Sequence, residues 1–277
     1  MKPKKKILIP VAVLVIAVIV IMIVRSRNRD NAYALLLSGN VEVTEANVGF
    51  KIPGRVVALL TDEGSPVTKG DRIALLDSAE HESIVAQNRA LLRNAEATLD
   101  KAQKDKERME LLYQSGAISS QQMDAARTSY DVAAAQQQQA RAALRTSEAR
   151  LRDTVLYAPV SGVVLRKNVE EGETAPAGAS VFTIGDLGNP WVKVYVKEDK
   201  LGWVKLGQKA GVTVDSFPGK VYEGTVSFIS SEAEFTPKNV QTREERVKLV
   251  FGVKVNVKNE NDELKPGMPA DVKITLK

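Results

Sequence analysis

The sequence predicts a multidomain β + α protein. A β-sandwich is split into two halves by an inserted antiparallel α-helical coiled-coil hairpin. A small β-barrel follows, and one N-terminal transmembrane helix precedes both. Three observations carry this. Gly54, Gly64 and Gly70 recur as Gly162, Gly172 and Gly178 at a constant spacing of 108 residues (54 to 162, 64 to 172, 70 to 178). Between these stretches lies Ser78 to Asp153, which contains no proline and only Gly116 as a glycine. Near the N-terminus stands an uninterrupted apolar run of 18 residues, Ile7 to Val24.

The apolar run is near the lower length limit for crossing a bilayer as a helix. Residues 1–30 carry seven cations and one anion, whereas the remainder holds 32 cations and 33 anions. The positive charge therefore flanks the run, and the body has no basic bias that would attract nucleic acid. Four lysines ahead of the run place the N-terminus in the cytoplasm and export the body. A cleaved signal peptide is the alternative, with Ala32-Tyr33-Ala34 as a small-x-small site. The run is longer than an ordinary signal core, and Arg25, Arg27, Arg29 and Asp30 intervene, which favours an anchor. The absence of cysteine excludes disulfides, thiolate metal sites and a lipidated N-terminal cysteine.

In order, Ala34 to Asn47 alternates polar and apolar residues and reads as a strand. Arg55–Leu60 and Arg72–Leu76 are strands around turns at Asp62–Ser65 and Val67–Asp71. Gly162–Asn168 and Ser180–Ile184 repeat that plan around Glu170-Glu171-Gly172 and Ala177-Gly178. The turn acids Asp62-Glu63 and Glu170-Glu171 occupy matching places, which argues for turn chemistry rather than a catalytic dyad. In the insertion, alternating spacings of four and three select Ile84, Asn88, Leu91, Ala95, Thr98, Ala102, Asp105, Met109 and Leu112 in the first run. In the second they select Met123, Ala126, Tyr130, Ala133, Gln137, Ala140, Leu144, Ser147 and Leu151. Gly116 ends the first helix, and Ser119 or Ser120 caps the second. Beyond Gly188, alternation in Trp191–Lys197, Ala210–Asp215, Val221–Phe228, Arg246–Val257 and Pro269–Leu276 predicts barrel strands. Asp199–Lys205 reads as a helical plug, and Ser231–Glu245 as a long polar loop. The expected domains are an anchor at 1–30, a barrel-joining strand at 34–48, sandwich halves at 49–77 and 155–187, the hairpin at 78–154 and the barrel at 188–277.

The split repeat resembles the halves of a lipoyl/biotinyl-like domain. In carriers with that fold, the connection between halves presents a modified lysine. Here it is replaced by Ser78–Asp153, with neither a Met-Lys-Met nor an Asp-Lys-Ala tripeptide, so no cofactor is expected. The full order, with KIPGRV at 51–56, APVSGVV at 158–164 and LKPGMPADVKI at 264–274, is similar to the HlyD-type membrane fusion proteins, or periplasmic adaptor subunits. FTPKNVQTREERVKLVFGVKV at 235–255 is similar to the branch paired with ABC-type exporters. The resemblance implies a non-enzymatic adaptor in the cell inner membrane, bridging a transporter to a TolC-like outer-membrane channel for efflux of drugs or other small molecules. It also implies a homo-oligomer, a hexamer in the family. At the hairpin tip such adaptors carry an Arg, a Leu four residues later and a Ser eleven residues later. Arg108, Leu112 and Ser119 have that spacing, while Ser120 departs from the family's preference for an apolar neighbour. Read without the resemblance, these three are a surface cation, a seam residue and an N-cap. Two other classes remain open: a biotin- or lipoate-carrying enzyme component, and a structural coiled-coil protein of the envelope. An unmodified intact mass separates the first from an adaptor, and a co-purifying permease separates the second. No nucleotide-binding loop, catalytic triad or metal-ligand spacing is found in the sequence.

Overall fold

A computed structural model describes residues 34–235 and 249–276. The anchor reading falls on residues outside this range. The chain forms two compact units, residues 45–185 and residues 34–44 with 186–276.

In the first unit, β2 (Gly54–Leu59), β3 (Pro66–Val67) and β4 (Arg72–Leu76) form one half of a sandwich. β6 (Gly162–Lys167), β7 (Thr174–Ala175) and the start of β8 (Phe182–Lys197) form the other, and β5 (Val155–Tyr157) pairs with β4. Each half completes the other. β2 pairs with β7 through Gly54–Ala175 and Arg55–Thr174, while β6 pairs with β3 through Gly162–Val67 and Val163–Pro66. The turns repeat this reciprocity. The Gly64 N–H donates to the Val164 carbonyl and the Gly172 N–H to the Val56 carbonyl, both at 2.8 Å. The Gly70 N–H donates to Ala158 and the Gly178 N–H to Phe50, again at 2.8 Å. Gly64 (φ +79°) and Gly172 (φ +90°) lie in the left-handed region, where a side chain would be strained. The turn acids take part: the Leu59 N–H donates to the Glu171 carboxylate at 2.9 Å, and the Lys167 N–H to the Glu63 carboxylate at 2.8 Å. Phe50, Val56, Ile73, Val164, Val181 and Phe182 fill the core between the halves.

Two helices leave this base. α1 (Ala79–Gln114) follows β4, and α2 (Ser120–Arg152) returns to β5. Asp77 accepts the Ala79 N–H and pairs with Arg55 at 3.2 Å. The Ala79 hydrogen bond and the Arg55 guanidinium hold its carboxyl below the usual range. Glu80 and Glu82 in the first turn of α1, and Arg150 and Arg152 in the last turn of α2, suit the two helix dipoles. Thr154 anchors the return: its hydroxyl donates to the Leu151 carbonyl, and its own carbonyl accepts the Leu76 N–H.

The second unit is a closed barrel. β1 (Ala34–Val48), β12 (Pro269–Thr275), β9 (Lys209–Thr213), β10 (Tyr222–Phe235), β11 (Leu249–Val257) and β8 follow one another, and β1 pairs with β8 to close it. Alternate residues point inward, so Val192, Val194, Val196, Val212, Val253 and Val255 are fully buried. Buried Asn259 is satisfied. Its amide donates to the Leu187 and Leu264 carbonyls, and its oxygen accepts the Leu264 N–H at 3.0 Å.

Two expectations are corrected in the barrel. Residues 231–235 belong to β10 and are not loop. Register shifts follow Val226 and Ile229: Ser230–Glu232 bulge out of the ladder, and Ala233, Glu234 and Phe235 resume pairing with Phe251, Val250 and Leu249. The helix near Asp199–Lys205 is only α3 (Glu198–Leu201). The side chain that plugs the barrel is Val204, which packs into the core from the turn that follows.

Tyr222 and Glu263 give the barrel a pH signature. The Tyr222 hydroxyl donates to the Glu263 carboxylate at 2.7 Å, and Lys220 pairs with the same oxygen. Hydrogen bonds from Lys220 and Tyr222 lower the Glu263 pKa. Burial and then the Glu263 hydrogen bond push Tyr222 up to about 12. A lowered carboxylate stabilises the fold above its unfolded pKa and loses that contribution on acidification. A raised phenol loses its contribution as pH climbs past the free tyrosine value of about 10. In thermal melts, Glu263→Gln should therefore lie below wild type at pH 6, and the gap should close as pH falls through the carboxylate range. Tyr222→Phe should flatten the alkaline loss between about pH 10 and 12.

Candidate functional site: the tip of the helical hairpin

The hairpin carries the candidate site at its far end, and the seam between its helices decides what reaches that end. On α2 the residues facing α1 are those expected: Met123, Ala133, Gln137 and Ser147 are buried, and Ala126, Tyr130, Ala140, Leu144 and Leu151 are half-buried. On α1 the expected phase is corrected. Asn88, Ala95, Ala102 and Met109 face α2, but the companion row is buried Val85 with half-buried Leu92, Leu99 and Lys106, whereas Leu91 and Thr98 are exposed. Leu91 is 52% exposed. Lys106 occupies a seam position by laying its stem inward and its ammonium 4.4 Å from the Tyr130 ring. Along one flank, Arg89 pairs with Glu148 at 3.5 Å and Glu96 with Arg141 at 3.8 Å.

At 36 residues, α1 is about 54 Å long. Its end is closed by a Schellman motif. The Ala117 N–H donates to the Leu112 carbonyl and the Gly116 N–H to the Tyr113 carbonyl, each at 2.9 Å. Gly116 supplies the required left-handed residue at φ +73°. Ser119 then starts α2 with a capping box. Its hydroxyl accepts the Gln122 N–H at 3.3 Å, and the Gln122 side chain accepts the Ser119 N–H at 3.0 Å.

All three sequence-picked residues lie at this tip. Arg108 is two-thirds exposed and pairs with Asp105 one turn earlier at 3.2 Å. Leu112 stands in the last turn of α1, more than one-third exposed. Ser119 is the N-cap, with its hydroxyl engaged in the helix start. Sequence reasoning missed Leu111 and Tyr113, which are 69% and 46% exposed. Their signal was available: three consecutive large apolar residues precede Gly116, and a two-helix seam can use only one of them. Together Leu111, Leu112 and Tyr113 form an apolar knob beside a cation, held by closed helix ends. Among the described residues no group of three His, Cys, Asp or Glu side chains could hold a metal.

Comparison with known proteins gives the architecture its class. Residues 57–158 match the YBHG alpha-helical hairpin domain family, and residues 190–277 match the CusB-like beta-barrel domain family. The fold is similar to MacA from Actinobacillus actinomycetemcomitans, with a TM-score of 0.72 at 23% identity over 88% of this chain and 79% of that one. It is also similar to the membrane fusion protein Spr0693 from Streptococcus pneumoniae R6, with a TM-score of 0.70 at 19% identity over 88% of this chain and 99% of that one. The split sandwich, hairpin and barrel are thus the fold of the periplasmic adaptors, or membrane fusion proteins. A UPF0194 membrane protein of Citrobacter koseri is 32% identical over 287 residues, 85% of this chain and 87% of its own length. The chain belongs to the UPF0194 membrane protein family.

The seam phase is directly testable. Leu99→Ala should destabilise the hairpin by about 2 kcal/mol, because a half-buried leucine loses its partners. Leu91→Ala should change stability by less than about 0.5 kcal/mol. Denaturant melts followed by helical circular dichroism separate the two, and a larger loss for Leu91→Ala than for Leu99→Ala would restore the phase read from sequence.

Proposed function

We propose that this chain is the adaptor of a tripartite efflux or secretion system. It bridges an inner-membrane transporter to a TolC-like outer-membrane channel, and it does no chemistry of its own. The observation that carries this reading is the exposed Leu111–Tyr113 knob with Arg108 at the end of a helical arm about 54 Å long. An apolar group beside an arginine suits a protein contact: the leucines and tyrosine give up water, and the guanidinium pairs with carbonyls or carboxylates at a channel helix end. Leu112 is the apolar anchor of that contact. Ser119 contributes by fixing the start of α2, so its effect runs through the shape of the tip. The ABC-type class of transporter rests on the similarity of residues 235–255 to that branch.

A homo-oligomer, with six copies as in the wider family, completes the reading. The flank of the hairpin opposite the Arg89–Glu148 and Glu96–Arg141 pairs presents Leu91, Thr98, Val132, Gln136, Gln139 and Ala143, all exposed and uncharged, with charge returning to the Leu91–Thr98 row at Asp105 near the tip. A helix face left to solvent is ordinarily charged. A neutral one suits a wall whose surfaces meet other chains or enclose a passage. In this arrangement the Ile7–Val24 helix crosses the inner membrane once, with the N-terminus cytoplasmic, and drugs or other small molecules are the cargo.

Arg108→Asp combined with Leu111→Asp should abolish export and channel co-purification while leaving the helical melt within about 0.5 kcal/mol of wild type. Both positions are exposed, so the fold is spared. Undiminished export by a stably folded double variant would refute the tip contact.

A further inference from the structure

One rim of the barrel presents apolar and cationic side chains, and the strand registers show which rim it is. Ala34 pairs with Thr275, and Ala210 with Ile274. Lys209 pairs with Thr225, and the Gly207 N–H donates to the Val226 carbonyl at 2.9 Å. The start of β1, the end of β12 and the turn leading into β9 therefore share one rim. On it Trp203 is 54% and Leu206 66% exposed, and Leu36 on the outer side of β1 is 65% exposed.

This exposure is built, not slack. Val204, between Trp203 and Leu206, is buried in the barrel core. The Gln208 side chain donates to the Trp203 carbonyl at 3.0 Å and accepts the Lys205 N–H at 2.8 Å. The turn is braced from inside and outside, and the indole and leucine have nowhere within it to retreat. From Lys197 to Lys209 the chain carries four lysines (197, 200, 205, 209) against Glu198 and Asp199, an excess of two positive charges.

The chain itself says what lies near this rim. Nine residues, 25–33, separate the apolar run from β1. Fully extended they reach about 30 Å. A bilayer crossed by Ile7–Val24 is therefore within that distance of the Ala34 end of the barrel. We infer that the rim carrying Trp203 and Leu206 seats on the lipid surface. The indole and leucine enter the interfacial zone, and the lysines lie among anionic headgroups. Tryptophan concentrates at that depth because its ring is apolar and its N–H stays hydrogen-bonded, and lysine gains from the negative surface potential. The inference rests on the anchor reading and needs neither transporter nor channel.

The protein has two tryptophans, so Trp203 can be isolated. Full-length Trp191→Phe protein is reconstituted in vesicles of phosphatidylethanolamine and phosphatidylglycerol, with and without bromine on the acyl chains. Trp203 should lose roughly half its emission in brominated vesicles, at the depth expected of an interfacial side chain. The Trp203→Phe protein, reporting from Trp191, should be unaffected and controls for indiscriminate quenching. If Trp191→Phe does not fold, the wild-type signal less that of Trp203→Phe gives the same quantity. Trp203 emission that is water-exposed and equal in both vesicles would overturn the inference, and would mean that a protein partner or bulk water faces this rim. That result leaves the export reading untouched, since no partner is present.

Discussion

Gly64 donates to Val164, and Gly172 donates to Val56; Gly70 donates to Ala158, and Gly178 donates to Phe50. These four bonds join sequence-distant halves, and every other part of the first unit depends on them. Neither half has a complete sheet or core alone. β7 finishes the sheet of β2, β3 finishes that of β6, and the carboxylates of Glu63 and Glu171 each satisfy a backbone N–H at the end of the other half's strand. A helical arm inserted between the halves is therefore held at both its roots by one interlocked body.

That mounting explains the sequence of the arm. An isolated two-helix hairpin buries little, and this one spends its seam on alanine, serine and glutamine as well as leucine. Its roots are fixed instead by Asp77 at the start of α1 and Thr154 after α2, both tied to strands of the sandwich. The ends of the helices at the tip are closed by a Schellman motif and a capping box, so no backbone group there demands a partner. The apolar knob is consequently presented by helix ends whose backbone groups are already satisfied. The barrel rim with Trp203 offers a second fixed surface, and the adaptor role proposed here needs such surfaces to be rigid.

Much of this was legible in the residues, for physical reasons. Glycines that must adopt positive φ cannot drift, so the 108-residue spacing reported the two halves and their turns. Alternating valines reported the barrel strands because one face meets a core. The phase of the α1 seam was not legible. Asn88, Ala95, Ala102 and Met109 recur every seven residues, yet either Leu91 or Leu92 can fill the place between them, and only packing against α2 chooses. Lys106 was hidden for a related reason: a lysine becomes a seam residue only because Tyr130 stands opposite. The far end of β10 looked like loop because Ser230, Ser231 and Glu232 are polar, and its bulges leave no regular alternation to detect. At the tip, Arg108, Leu112 and Ser119 were singled out by the resemblance to the adaptor tip pattern, whereas Leu111 and Tyr113 emerged from exposure.

The central claim is that the halves hold each other across the insertion. Its most direct test is to place a protease site between Gly116 and Ala117, cleave the folded protein, and measure its size and thermal melt without denaturant. If the reciprocal sandwich bonds carry the fold, the two fragments remain one species on gel filtration and the sandwich and barrel melt as before. Separation of the fragments, or loss of β-structure on cleavage, would contradict the account.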